Sequence, residues 1–308
     1  MTRRLSIGVT TRDRPESLRA CVGSLALLEH LDPQILVFDD RSMVPAGEQL
    51  NGLGEGVRVL SDPGVTGYIG ARNRLVAAAE ADFVLLLDDD ARVLTAAAVD
   101  RAIRTLTHDP RIGAIAFAQA EADGQPWPAA MQPSPAARDV VVPSFIGFAH
   151  LLRRRIFQEL GGYRESFGFY GEEKDFCLRL LEAGYLTVYL PDARIAHVPD
   201  GGGRSQQRYL RFVARNDCFN TLYNDPLGRV MWMLPARFAL YFRMRRAWKI
   251  HDPWGWAWLL REFAAGMPDV VAHRRPVSRR TIATWKSLRH TETAYAAPSA
   301  DAGGHGRS

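Results

Sequence analysis

Two groups of carboxylates stand out because each ends a run of apolar residues. Asp39 and Asp40 close QILVFDD, and Asp88, Asp89 and Asp90 close DFVLLLDDD. Adjacent like charges repel, at a cost of up to a few kcal/mol unless water or a counter-charge screens them. Acids gathered in this way form a hard-oxygen site suited to Mg2+ or Mn2+, and such cations in turn bind phosphates. The plainer reading is that one or two of the acids cap the helix expected from about Thr95. One acid would serve as a cap; three in a row exceed that need.

The elements that must position these acids follow from the hydrophobic pattern. LSIGVTT (5–11), QILVFDD (34–40), VRVLSD (57–62), DFVLLLDDD (82–90) and IGAIAFAQA (112–120) read as strands. Between them lie helical patterns: one opened by Pro15, ARNRLVAAAEA after the turn PGVTGYIG, and TAAAVDRAIRTLTHD. Strand and helix in alternation predict an α/β fold with a mostly parallel central sheet flanked by helices. In open sheets of this kind, ligands bind outside the carboxyl ends of the strands. Thr10–Thr11, Asp39–Asp40 and Asp88–Asp90 are therefore expected at one edge.

The order of these pieces resembles the family-2 glycosyltransferases of the GT-A fold, bacterial and inverting in type. TTRDRPESLRACVGSL matches the first strand–helix unit, VFDDRS the second strand end, and GYIGARNRLVAAAEADFVLLLDDD the glycine turn, helix and aspartate-rich (DXD) metal motif. GGYRESFGFYGEEKDFCLRLLEAGY matches the acceptor-side motif. The resemblance covers about residues 5–200. It implies transfer of a sugar from a nucleotide-diphosphate-sugar donor to a hydroxyl of a glycan, lipid-linked or small-molecule acceptor, with Mn2+ or Mg2+ as cofactor. Similar enzymes use UDP-hexoses and dTDP-rhamnose. Donor contacts are implied for Thr10, Thr11, Arg14, Asp39, Arg72, Asp88 and Asp89, and metal contacts for Asp88, Asp90 and His197. Asp89 is read either as a contact or as support for its loop, and Asp40 either as a turn acid or as a site residue. A general base must take the acceptor proton. Glu173 is favoured for that role, with Glu172 second and Asp175 as a helix-cap or supporting acid paired with Arg179. The family more often has Glu-Asp where Glu172–Glu173 stand. Metal-binding by His197 and a structural role are evenly weighed. Arg204, in the loop DGGGRS, is read either as a phosphate contact or as part of a linker. A nucleotidyltransferase and a non-catalytic nucleotide-sugar-binding protein are the alternatives. SIGVTTRDRP lacks the glycine-rich cradle of the first, and the retained acids argue against the second.

Domain organisation follows the charge. Net charge is +5 over 308 residues, yet residues 204–290 hold 17 basic against 5 acidic side chains, and six of the seven tryptophans. We therefore divide the chain into a catalytic domain, 1–203 (nucleotide-sugar half 1–95, acceptor half 96–203), a basic, Trp-rich helical region, 204–290, and a disordered tail, 291–308. The basic region, whose first helix carries a further A-R-N pattern (214–216), is expected either to pack as a helical subdomain, on the sheet or on a second subunit, or to meet an anionic membrane surface. Nucleic acid is disfavoured because the cations interleave with long aliphatic residues. Three scattered cysteines, no apolar signal segment and no apolar run of 18 residues fit a cytoplasmic protein, peripheral on the inner membrane face if bound there.

Overall fold

The structure, a computed structural model, describes residues 4–53, 56–199 and 205–298. Ten strands form one sheet: β1 Leu5–Thr11, β2 Gln34–Asp39, β3 Val57–Leu60, β4 Phe83–Asp88, β5 Ala91–Val93, β6 Ile112–Ala120, β7 Val140–Val141, β8 Ala149–Arg153, β9 Leu186–His197 and β10 Thr293–Ala294. Their order is β10-β7-β9-β6-β8-β4-β1-β2-β3, with β5 paired to β9. From β4 to β3 the strands are parallel, as are β6 and β9. β8 runs antiparallel between β4 and β6.

The flanking helices are α1 Pro15–Ser24, α2 Ala46–Gln49, α3 Tyr68–Ala78, α4 Ala96–His108, α5 Arg154–Glu159 and α6 Glu172–Glu182. After them come α7 Gln206–Asn224, α8 Leu227–Ala247, α9 Gly255–His273 and α10 Arg279–His290. Strands β1, β4 and β6 are buried along nearly their whole length, because helices cover both faces. One core layer joins α1 and α4 to the sheet through Leu18, Val22, Val99 and Leu106; the other joins α3, α6 and α7 through Leu75, Phe176 and Phe219.

Three expectations change. The helix expected from Phe176 starts at Glu172, because Gly171 takes φ 93 and turns the chain into it. Asp175 is thus no cap: it lies in the first turn, fully buried between Arg164 (3.0 Å) and Arg179 (2.7 Å). The acids at 88–90 do not cap α4 either, since β5 intervenes and Thr95 precedes the helix. Finally, residues 291–298, placed in a disordered tail, carry β10, which pairs with β7, and Tyr295, whose hydroxyl donates to Asp109. Residues 200–204, expected as a loop carrying Arg204, and the last residues, 299–308, lie outside the described residues.

α7 steadies the loop that leads into α6. The Asn216 side-chain amide donates to the carbonyls of Phe167 (3.0 Å), Phe169 (2.7 Å) and Tyr170 (2.6 Å), and Asn220 donates to that of Gly171. Asn224 reaches Asp175 at 2.8 Å. Asn216→Ala would strand buried carbonyls just ahead of the acid pair. A loss of about 1–3 kcal/mol is expected, read as a lowered midpoint in thermal unfolding.

Candidate active site

The register of the parallel strands brings the polar ends together. Thr10 lies across from Asp88, and Thr11 across from Asp39. The Thr11 hydroxyl donates to Asp89 (2.8 Å), and Arg14 reaches Asp89 (3.0 Å) and Asp90 (3.3 Å). These contacts offset the repulsion within the triplet. Burial pushes the Asp89 carboxyl up to about 6, against Arg14 and the Thr11 hydrogen bond. Asp39 accepts from the backbone N–H groups of Ser42 and Ala46, at 2.8 Å each, and so shapes the loop after β2. Asp40 is buried; Oδ2 accepts from Gly67 N–H, while Oδ1 has no hydrogen-bond donor among the described residues.

Arg72 is the centre of the site. Its side chain is 2% exposed. One terminal nitrogen donates to Asp88 and to the Gly147 carbonyl, each at 2.7 Å; the other donates to Glu172 at 3.1 Å. The guanidinium lies 4.6 Å from the centre of the Tyr68 ring. Burial alone would weaken its charge, but Asp88 and Glu172 more than compensate, and the net shift is upward. Glu172 is fully buried, and burial, followed by Glu173, raises its carboxyl well above the usual range although Arg72 opposes. Glu173, its neighbour on α6, is half-buried. A Cβ on Gly147 would fall 2.6 Å from Glu173 Oε1 and 3.0 and 3.2 Å from the Arg72 nitrogens. Gly147 therefore lets the base candidate and the clamp share one small space.

His197 approaches from β9. The β5–β9 pairing sets it across from Ala91, so its ring lies beside Asp90, with Nε2 to Oδ1 at 3.6 Å. Its ring stacks between Trp127 (5.1 Å) and Phe148 (4.7 Å). Nδ1 lies 2.6 Å from Gln119 Oε1, a carbonyl oxygen that only accepts, so Nδ1 donates there and Nε2 is the nitrogen turned to Asp90. Among the described residues, no three His, Cys, Asp or Glu side chains converge as a metal-holding group. Asp90 and His197 come together, while Asp88 turns to Arg72. Two donors each about 2.1 Å from one ion lie ~3–4 Å apart, so this pair fits a shared cation. Mg2+ commonly takes one or two protein carboxylates and completes its shell with phosphate and water, so the donor set suits it.

A model of the family described as Glycosyl transferase family 2 matches residues 6–161, half of the chain. The chain belongs to glycosyl transferase family 2. Within it, this chain is 28% identical over 208 residues to the pre-mycofactocin glycosyltransferase of Mycobacterium tuberculosis, covering 63% of this chain and 43% of that protein. It therefore spans less than half the length of that relative. A shorter stretch of 51 residues is 41% identical to the N-acetylglucosaminyl-diphospho-decaprenol L-rhamnosyltransferase of the same species, 17% of each chain. Among solved structures, the mannosyltransferase PcManGT of Pyrobaculum calidifontis, in complex with GDP-Man and Mn2+, superposes with TM-score 0.57 at 15% identity, over 92% of this chain and 79% of the other. S. aureus TarS 1-349 with UDP-GlcNAc gives 0.59 at 15% identity, over 93% and 87%. The fold is GT-A, with C-terminal helices.

The matched family-2 segment contains β1 to α5, and so Thr10, Thr11, Arg14, Asp39, Arg72 and Asp88–Asp90; Glu172, Glu173 and His197 lie beyond it. The fold of this family-2 chain brings both sets to the same edge. Sequence reasoning missed Gln119, Trp127, Phe148 and Gly147, which position or admit the site groups. Gln119 ends the strand IGAIAFAQA as its polar residue, a signal that was available.

Proposed function

We propose that this chain transfers a sugar from a nucleotide-diphosphate-sugar donor to an acceptor hydroxyl, with inversion at the anomeric carbon and with Mn2+ or Mg2+ at the diphosphate. The observation that carries the reading is the Arg72 clamp. It joins Asp88, in the strand-end acid cluster, to Glu172, beside Glu173, and so sets a donor edge against a base at fixed spacing.

In this reading Thr10, Thr11, Arg14, Asp39, Asp88 and Asp89 line the donor edge, and Asp40, buried beside them, holds the Gly67 turn. Asp90 and His197 would hold the cation, which supplies positive charge to the leaving diphosphate when bound. Glu172, enclosed on α6 with its carboxyl raised by burial and tied to Arg72, cannot reach an acceptor. Glu173, with part of its surface open, takes the acceptor hydroxyl proton. The acceptor oxygen bonds to the anomeric carbon as the bond from that carbon to the diphosphate oxygen breaks, and the electron pair leaves with the nucleoside diphosphate. One displacement by one base gives inversion. The similarly folded structures with GDP-Man and UDP-GlcNAc support the donor class, and PcManGT, in complex with Mn2+, supports the cation. The acceptor is a hydroxyl of a glycan, lipid-linked or small-molecule compound. Three buried free thiols favour a reducing, cytoplasmic setting, and no helix among the described residues is long and apolar enough to cross a membrane.

The test is nucleoside diphosphate release from a panel of UDP-, GDP- and dTDP-sugars, with Mn2+ and with chelator. Release with at least one donor, lost with chelator and lowered about 10- to 100-fold or more in Asp90→Ala, is expected. Release indifferent to metal and to Asp90→Ala would sink the cation assignment.

A further inference from the structure

α8 and α9 turn their inner faces to α7, where Leu210, Ala214, Tyr241 and Leu259 form a buried cluster. No described part of the chain covers their outer faces. Among the described residues, ten of the sixteen exposed large apolar side chains fall between residues 227 and 271, so the exposure is concentrated here. Trp232 is 82% exposed, Met231 73% and Trp254 70%. Along α8 the exposed positions recur at helical spacing, 227, 228, 231, 232, 235, 236, 239, 242, 243, 246 and 247, which makes one broad outward face.

Charge decides what such a face meets. Residues 226–251 contain no Asp or Glu. Asp252, the next acid, is fully buried and taken up by Gln207, Arg211 and Tyr241. Arg229 and Arg237 pair with Asp225 and Asp217. Arg243, Arg245, Arg246 and Lys249 have no ion pair among the described residues. Arg245, Arg246 and Lys249, with Phe242 and Ile250, line an open hollow of about 360 Å³ where α8 ends and Lys249 (φ 52) reverses the chain. On α9, Glu262 and Asp269 are taken up by Arg215 and His273, so a second copy docked by this face would set the α8 cations against each other with both of those acids already paired.

We propose that the outer face of α8 and α9 lies on an anionic phospholipid bilayer, with tryptophans at headgroup depth and a lipid phosphate in the 242–250 hollow. The face is continuous with the acceptor side of the site. The Trp248 ring lies 5.7 Å from that of Tyr209, which meets the edge of Tyr170 at 4.8 Å, and Tyr170 N–H donates to the Tyr68 hydroxyl at 2.8 Å. A lipid-linked acceptor would reach Glu173 along this path, a consequence that rests on the transfer reading; bilayer binding itself does not.

The test is co-sedimentation of the full chain with vesicles of one-quarter phosphatidylglycerol in phosphatidylcholine, and of phosphatidylcholine alone, without donor or acceptor. Binding to the anionic vesicles, weakened by salt, is expected. Arg245→Glu/Arg246→Glu/Lys249→Glu should lower it about 100-fold or more, and Trp232→Ser/Trp254→Ser should also weaken it. Both variants should still unfold cooperatively, the tryptophan variant at the wild-type midpoint because Trp232 and Trp254 are mostly exposed, and the charge variant near it because Arg246 and Lys249 are exposed and only Arg245 is half-buried. Undiminished binding by the charge variant, or no anionic preference, would overturn the proposal. So would a dimer in sedimentation velocity that the tryptophan variant dissolves while vesicles remain unbound. Vesicle binding with no glycosyl transfer would leave this proposal standing and overturn the transfer reading instead.

Discussion

Glu173→Gln should lower the turnover of transfer by about 10²–10⁴-fold while leaving the fold and donor affinity near wild type. Glu173 is the one member of the acid pair with open surface, and its Oε1 sits in the space that Gly147 leaves free, beside Arg72. Gln keeps the size of the side chain and its capacity to accept a hydrogen bond from the acceptor hydroxyl, but it cannot take the proton. The loss should therefore fall on kcat, with KM for donor little changed. Glu172→Gln is the control. It alters a carboxyl that is enclosed against Arg72 and has no open surface for an acceptor, so it should cost far less turnover than Glu173→Gln. If the two variants exchange behaviour, the base is Glu172 and the enclosed acid is the one that reacts.

Arg72→Met should be the most damaging single change to the fold near the site. The guanidinium is enclosed and serves Asp88, Glu172 and the Gly147 carbonyl at once. Removing one partner of a buried pair costs about 3–5 kcal/mol, because the other is left without compensation. In a chain of this size that lowers the unfolding midpoint by roughly 10 °C. The deficit should depend on pH. Burial and Glu173 raise Glu172 above its usual 4.5, and Arg72 opposes them. Without Arg72 the folded-state value rises further. The folded protein then keeps the Glu172 proton to a higher pH than the unfolded chain does. Stability from that proton is fully present below 4.5 and is lost as pH rises through the folded value. Arg72→Met should therefore fall further behind wild type as pH rises through the folded-state value of Glu172, and recover part of the gap as pH falls below it toward 4.5. Thermal melts across that range measure it, and a pH-independent deficit would contradict the assigned clamp. Arg72→Lys should recover only part of the stability, since an ammonium cannot fork to Asp88 and Glu172 together.

Much of this arrangement was legible because apolar runs stop at polar residues. LSIGVTT, QILVFDD and DFVLLLDDD announce both their strands and the edge to which they deliver Thr10, Asp39 and Asp88. What was not legible depends on non-local pairing. β5 and β10 are too short to leave a pattern, yet β5 brings His197 to Asp90 and β10 anchors what read as a tail. Arg72, in a helix that resembles a surface helix, gave no sign of burial; only its fit to a family motif marked it. Asp175 read as a cap because its helix was expected to begin at Phe176, whereas the Gly171 turn starts it a turn earlier. In the same way the A-R-N pattern of α7 was visible, but its task of holding the 166–171 loop required the tertiary structure.

The most direct test of a nucleotide-sugar site is thermal unfolding of the full chain with UDP-, GDP- and dTDP-sugars in the presence of Mn2+. A ligand bound only by the folded state at a hundred times its Kd adds about 2.7 kcal/mol, which in a chain of this size raises the midpoint by roughly 5–10 °C. We predict that rise with at least one donor, its reduction when Mn2+ is withheld, and its loss in Asp88→Ala/Asp90→Ala. No shift with any of the donors, or a full shift in the doubly substituted chain, would contradict the account.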